Sequence, residues 1–146
     1  MMNLSTDSST VAQENGQRTA QARRIRKVAV LGSGIMGSGI ACHFANIGLD
    51  VVMLDIVPFD LKEEDQNNPV ARNSIVNGAL TAALKSKPAA LYDKAFASRI
   101  STGNFDDDFE KIADVDWVLE AIVERLDIKQ KVFARVDELR KPGTLV

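Results

Sequence analysis

The spacing of apolar and polar positions changes repeatedly between Arg26 and Val146. "KVAVLG" (27–32) is an unbroken apolar run closed by glycine, the pattern of a short strand buried on both faces. In "IMGSGIACHFANIG" (35–48) the period becomes helical, with Ile40, Phe44 and Ile47 on one stripe and Gly48 as the stop. "DVVMLD" (50–55) returns to strand composition. Residues 27–55 therefore make one strand–helix–strand unit, whose crossover is right-handed.

A polar connection, "IVPFDLKEEDQNN", follows. A helix is predicted over 69–85 from the stripe of Val70, Ile75, Val76, Ala79, Leu80, Ala83 and Leu84. Pro88 is placed to start a second short helix that runs to Phe96. Residues 98–102 are a strand candidate, and 104–115 a small helix with acids in its first turn. "DWVLEAIVE" (116–124) is a strand. "LDIKQKVFARVDELRK" (126–141) is an amphipathic helix that turns Ile128, Val132, Phe133, Val136 and Leu139 inward. "PGTLV" opens a further strand. Alternating strands and helices predict an α/β fold, a doubly wound parallel sheet of Rossmann type, incomplete at the C-terminus.

Composition narrows the classes. With 146 residues, 45 % of them hydrophobic, the chain suits one domain with a real core. A net charge of −2 argues against a basic nucleic-acid surface, and no apolar run reaches the ~18 residues of a membrane span. The single cysteine, Cys42, fits a reducing compartment, and a cytoplasmic location is expected. Residues 1–25 lack an apolar core segment and are expected to be a disordered tail before a domain over 26–146. The basic "ARRIRK" (22–27) could be a targeting fragment, but Asp7 and Glu14 upstream favour the tail.

"GSGIMG" places glycines at 32, 34 and 37, between a strand and a helix. In such a motif the first glycine makes the turn, the second admits a pyrophosphate, and the third lets helix and strand close up. The helix start then offers free N–H groups and partial positive charge to phosphates. A glycine turn can also serve packing alone. Asp55, at the end of the next strand and 23 residues past Gly32, favours dinucleotide binding. A carboxylate there accepts from both ribose hydroxyls and repels a 2′-phosphate, and no Arg follows it. NAD is thus expected over NADP, while the fingerprint alone leaves FAD open.

The segments "VAVLGSGIMGSGIA", "VVMLDIVP", "DWVLEAIVERLDIKQKVFARVDE" and "KPGTLV" together resemble the NAD-binding domain of 3-hydroxyacyl-CoA dehydrogenases. The connection "IVPFDLKEED" and the segment "KSKPAALYD" look most like the long bacterial members fused to an enoyl-CoA hydratase-like region. The resemblance implies that Gly32, Ser33, Gly34, Ile35, Met36 and Gly37 wrap the pyrophosphate, with Met36 against the cofactor. It implies that Asp55 holds the adenosine ribose, that Ile122, Val123 and Glu124 lie beside the nicotinamide half, and that Lys129 reaches the cofactor. Arg125 departs from the family, where Asn is usual. Read without the resemblance, Glu124 and Lys129 could be solvated charges.

The family oxidises a (3S)-hydroxyacyl-CoA in fatty-acid β-oxidation, using a His oriented by a Glu, with a Ser and an Asn at the substrate. Those residues follow the fifth strand, beyond Val146, so this chain alone is expected to be inactive. The acyl-CoA substrate would then be a partner of the larger protein, and the uncovered sheet edge invites self-association. His43, mid-helix behind the turn, is read as a surface or packing residue, and Cys42 as buried and inert. Asp106–Asp108 are read as helix-start acids and not as a metal site. Lys85 and Lys87 are either helix-end charges or, by the resemblance, contacts for CoA phosphates. Two other readings stand beside the enzyme: a non-catalytic NAD-binding sensor or regulatory module, and a dehydrogenase of β-hydroxyacid type, against which "EAIVE" argues.

Overall fold

The computed structural model describes residues 24–122 and 126–146. The expected tail lies outside them except for its last two residues. Four parallel strands, β1 (Lys27–Leu31), β2 (Asp50–Asp55), β3 (Ile100–Asn104) and β4 (Trp117–Glu120), form one sheet in the order β3-β2-β1-β4. Leu145 continues it, pairing in parallel with Trp117 through Val118 N–H to Leu145 O (2.8 Å) and Leu145 N–H to Asp116 O (3.0 Å). Of the further strand anticipated at "PGTLV", this single bridge is what forms. The order reverses between β1 and β4, and the crevice at their C-terminal ends is where open α/β sheets bind ligands.

Side-chain alternation divides the sheet between two cores. Ala29, Leu31, Val52, Leu54 and Val118 meet Phe105, Phe109, Ile112, Val132 and Val136 on one face. Val28, Val30, Val51, Met53 and Ile100 meet Ala41, Cys42, Ala45, Val76 and Leu91 on the other. Both faces are covered, which is why the strands read as unbroken apolar runs. Each fully buried Leu or Phe contributes roughly 1.5–3 kcal/mol by leaving water.

Helix α1 (Ile35–Asn46) lies on the second face, but not by the expected stripe. Its buried residues are Gly37, Ser38, Ala41, Cys42 and Ala45; Ile40 and Phe44 pack at the flank, and Ile47 is exposed. The cause is the glycine turn, which draws the helix so close to β1 that only small side chains fit beneath it. Phe44 meets Trp117 edge-on at 5.6 Å, sealing the side of this contact.

The expected helix over 69–85 is divided at Asn73 into α2 (Pro69–Arg72) and α3 (Ser74–Leu84). Asn68 caps α2 by accepting from Val70 N–H at 3.1 Å, and Asn73 accepts from the buried Asn104 amide at 2.9 Å. Val76 is buried as the stripe requires, whereas Val70 and Leu84 are exposed. No α-helix forms over 88–96; a 3₁₀ segment at Lys94–Arg99 is capped by Asp93, and the strand expected at 98–102 is displaced to 100–104. The acidic segment folds as a 3₁₀ turn at Phe109–Asp114 instead of an α-helix over 104–115. The strand expected to reach Glu124 ends at Glu120 as β4, and 123–125 lie outside the described residues. In α4 (Leu126–Leu139), Val132 and Val136 are buried and Ile128 and Leu139 pack beside them. Phe133, expected inward, is exposed because it lies about 100° round the helix from Val132.

Asp116 staples three elements. Its carboxylate accepts from Arg26 N–H (2.8 Å), Lys27 N–H (3.1 Å) and Lys141 Nζ (2.8 Å). The Lys141 ammonium foremost, then the backbone amides, hold it down at about 2. A folded-state value below the unfolded ~3.9 means stability present above about pH 4 and lost as pH falls toward 2. Asp116→Asn is expected to cost roughly 1 kcal/mol at pH 7, allowing for solvent screening. Urea titrations should show that gap shrinking at pH 3; a gap independent of pH would show that the amide is lost for steric reasons instead.

Candidate dinucleotide-binding site

The turn after β1 is built by backbone. Gly32 has φ +105° and donates its N–H to Leu54 O at 2.7 Å, while Ala121 N–H reaches Leu31 O at 2.7 Å. A Cβ on Gly32 would stand 2.5 Å from Ala121 O, and one on Gly37 only 2.0 Å from Gly32 O. These two glycines are required by the fold itself. Gly34 is different: its φ of −59° suits any residue, and a Cβ there would meet nothing within 4 Å. The open side of Gly34 leaves room for a bound group beside the start of α1, where the site cleft lies. It caps α1, whose first turn holds no acidic residue and no side-chain cap, so N–H groups and positive dipole end face that space.

Asp55 stands across the turn. Its Oδ2 accepts from Ser33 N–H at 2.8 Å and from the Ser33 hydroxyl, and its Oδ1 from Ile56 N–H at 2.7 Å. Ser33 is buried and Asp55 half-buried. The carboxylate thus braces the glycine loop while remaining on the wall of a cleft of about 140 Å³. That cleft is lined by Gly32, Ser33, Gly34, Asp55, Ile56, Phe59, Ala121, Ile122 and Ile128. Glycine loop, acid and apolar walls are thus contiguous, and a dinucleotide's phosphate, ribose and flat base need that sequence of surfaces. Ile35 and Met36 point outward from the start of α1, almost wholly and largely exposed.

At the end of β4, Glu120 accepts from Ile122 N–H and meets Lys129 Nζ at 3.7 Å, both side chains largely buried. Lys129 is therefore a paired group and not a solvated charge. Glu120 is a site residue that the sequence does not single out, although "EAIVE" carries an acid at each end; Ile56, Phe59 and Ile128, the last expected only as a core residue, likewise join the site in the structure. Apolar residues just beyond the ribose acid were the available signal. Val123 and Glu124 lie outside the described residues.

Other candidates are placed away from this crevice or otherwise engaged. His43 is exposed on α1, and burial pushes the Cys42 thiol up. Asp107 is clamped by Arg72 through two bonds of 2.7 and 3.0 Å, which, with Asn104, hold its carboxyl below the usual range. Asp108 accepts from Asn104 N–H at 2.9 Å. Lys85 and Lys87 are exposed beyond α3, near a second cleft between α1 and α3 that includes Gly34, Ser38, Ala82 and Ser86. Among the described residues no helix is long and apolar enough to cross a membrane.

Comparison with known proteins agrees with the geometry. The profile of the family "3-hydroxyacyl-CoA dehydrogenase, NAD binding domain" matches residues 27–146. A probable 3-hydroxyacyl-CoA dehydrogenase of Bacillus subtilis (strain 168) is 48 % identical over 130 residues, covering 85 % of this chain and 16 % of the relative. The fatty acid oxidation complex subunit alpha of Psychrobacter sp. (strain PRwf-1) is 33 % identical over 147 residues, 100 % of this chain and 19 % of its own. The chain therefore spans less than a fifth of either relative. Among solved structures, 3-hydroxybutyryl-CoA dehydrogenase from Escherichia coli K12 superposes with a TM-score of 0.52 at 29 % identity, covering 84 % of this chain and 24 % of that one. The (S)-3-hydroxybutyryl-CoA dehydrogenase of Ralstonia eutropha gives 0.54 at 26 % identity, over 83 % and 39 %. With a glycine turn braced by Asp55 on a parallel sheet, and with the family model matching residues 27–146, the chain belongs to the NAD-binding domain family of the 3-hydroxyacyl-CoA dehydrogenases.

Proposed function

We propose that residues 26–146 are the NAD-binding unit of an enzyme that oxidises (3S)-hydroxyacyl-CoA to 3-oxoacyl-CoA in fatty-acid β-oxidation. The observation that carries this is Gly34, a glycine with open space where its side chain would be, set beside Asp55 in one cleft. Gly32, Ser33, Gly34 and Gly37 form the loop that receives the pyrophosphate, with Ile35 and Met36 covering it from the helix start. Asp55 takes the ribose hydroxyls. Ile122, Val123 and Glu124 border the nicotinamide half, and Lys129, oriented by Glu120, approaches the same end of the sheet. NAD, when bound, supplies the acceptor for the hydride leaving the substrate's C3.

The described residues of this chain bind and orient, and none of them is placed as a base for the hydroxyl proton. His43, its one histidine, sits on α1 with its ring beside Phe44, at 6.1 Å. Lys85 and Lys87, past the end of α3, suit the phosphates of a CoA lying along the α1–α3 cleft. One free buried thiol suits a reducing cytoplasm. The outer edge of β4, paired at Leu145, is the surface through which copies would associate.

The test is the reaction itself, followed as NADH absorbance with (3S)-hydroxybutyryl-CoA and NAD. It should be run on this chain and on a chimera continued with the remainder of the Bacillus subtilis relative's dehydrogenase region. NADH is expected to bind both and to form only with the chimera. A chimera that binds NADH yet turns over no 3-hydroxyacyl-CoA would sink the substrate assignment and favour a sensor module.

A further inference from the structure

Phe59 is a large aromatic side chain that belongs to neither core. It is 81 % exposed, and it lines two clefts at once. The first is the site cleft, shared with Asp55, Ile122 and Ile128. The second, of about 330 Å³, lies toward Phe105, Phe109 and Arg135. The Arg135 guanidinium already sits 4.3 Å over Phe109, so it does not cover Phe59.

The ring is presented by a stiff device. Pro58 fixes its own φ one residue before it, and the chain turns at Phe59–Asp60, just past Asp55, Ile56 and Val57. An aromatic left in water on the wall of this cleft has its face free, and stabilises whatever flat group comes to cover it. What covers it must reach from a ribose held at Asp55 and must be flat and largely apolar, since apart from Ser33 and Asp55 the lining side chains are apolar: Ile56, Ala121, Ile122 and Ile128. A purine base satisfies each condition.

We propose that Phe59 is a specificity-determining residue that stacks on the adenine of the bound dinucleotide, and so selects the base attached to the ribose at Asp55. The proposal rests on the dinucleotide reading and adds the residue that recognises the base. Stacking on one aromatic is worth about 1–3 kcal/mol per base, so its loss is read as a change of roughly tenfold in affinity.

The experiment titrates the wild-type chain, Phe59→Ala and Phe59→Trp with NADH, with reduced nicotinamide mononucleotide, which lacks the adenosine, and with 5′-AMP. Phe59→Ala is expected to bind NADH and AMP about tenfold more weakly and the mononucleotide as wild type does, with an unchanged melting temperature because the ring packs in no core. Phe59→Trp should keep NADH affinity, and AMP should quench the added indole fluorescence. NADH binding unchanged in Phe59→Ala overturns the stacking role while leaving the dinucleotide reading intact. Equal losses for NADH and the mononucleotide overturn it as well, by pointing to a distorted loop. If the wild-type chain binds neither NADH nor AMP, both readings fall together.

Discussion

Gly37→Ala is expected to destabilise the fold by about 3 kcal/mol, while Gly34→Ala leaves stability unchanged and weakens NADH binding at least tenfold. The two residues belong to one six-residue motif, yet the added methyl meets opposite surroundings. At 37 it would fall 2.0 Å from Gly32 O and 2.9 Å from Gly32 C, both backbone atoms of the turn. Neither can swing aside as a long side chain could, so α1 must lift off β1 and open the contacts of Ala41, Cys42 and Ala45. For an ordered domain of this size each kcal/mol moves the melting temperature by about 4 °C, giving a drop of about 12 °C. At 34 the methyl enters open space with an ordinary backbone conformation, and only a phosphate would collide with it. Thermal melts with and without NADH check both halves. A Gly37→Ala chain that melts like wild type would show the helix free to slide, and a Gly34→Ala chain with full NADH affinity would remove the phosphate from this side of the turn.

That contrast also marks what the sequence could reveal. The glycine turn at 32, 34 and 37 was legible, as were the position of Asp55 at the end of the next strand and the parallel alternation of strands and helices, because each is a local pattern. Which side of α1 faces the sheet was not. The Ile40–Phe44–Ile47 stripe is the more hydrophobic one, but close approach at Gly37 selects the smaller face instead. The break at Asn73 was hidden for a different reason. The break brings Asn73 to the amide of Asn104, 31 residues away, which is also held by Asp107, and no local pattern announces that contact. Glu120 was missed because its role needs Lys129 brought across from α4. Phe59 carries no periodic signal at all and becomes interesting only when seen exposed beside the acid. Local backbone geometry is thus written in short motifs, while faces, breaks and pairings are decided by tertiary contacts.

Asp55→Ala is expected to abolish the preference for NADH over NADPH, a change of about a hundredfold in the ratio of their dissociation constants. Two effects add. Loss of the acceptor for two ribose hydroxyls weakens NADH, since a hydrogen bond to a charged group is worth about 1.5–3 kcal/mol. Loss of the negative charge removes the repulsion that disfavours a 2′-phosphate, strengthening NADPH. The alanine does something else as well: Ser33 N–H and hydroxyl lose their shared acceptor, which strains the glycine loop irrespective of the ribose. Asp55→Asn separates these contributions in part, because its carbonyl oxygen can still take the Ser33 N–H and hydroxyl while the charge is gone, at the cost of setting its NH2 against the Ile56 N–H. The asparagine chain should therefore melt between the alanine variant and wild type, bind NADH several-fold more weakly, and still lose most of its discrimination against NADPH. Fluorescence titrations of both cofactors against the three chains give the three ratios needed. If discrimination survives in both variants, Asp55 is a brace for Ser33 alone and the choice of cofactor is made elsewhere in the cleft.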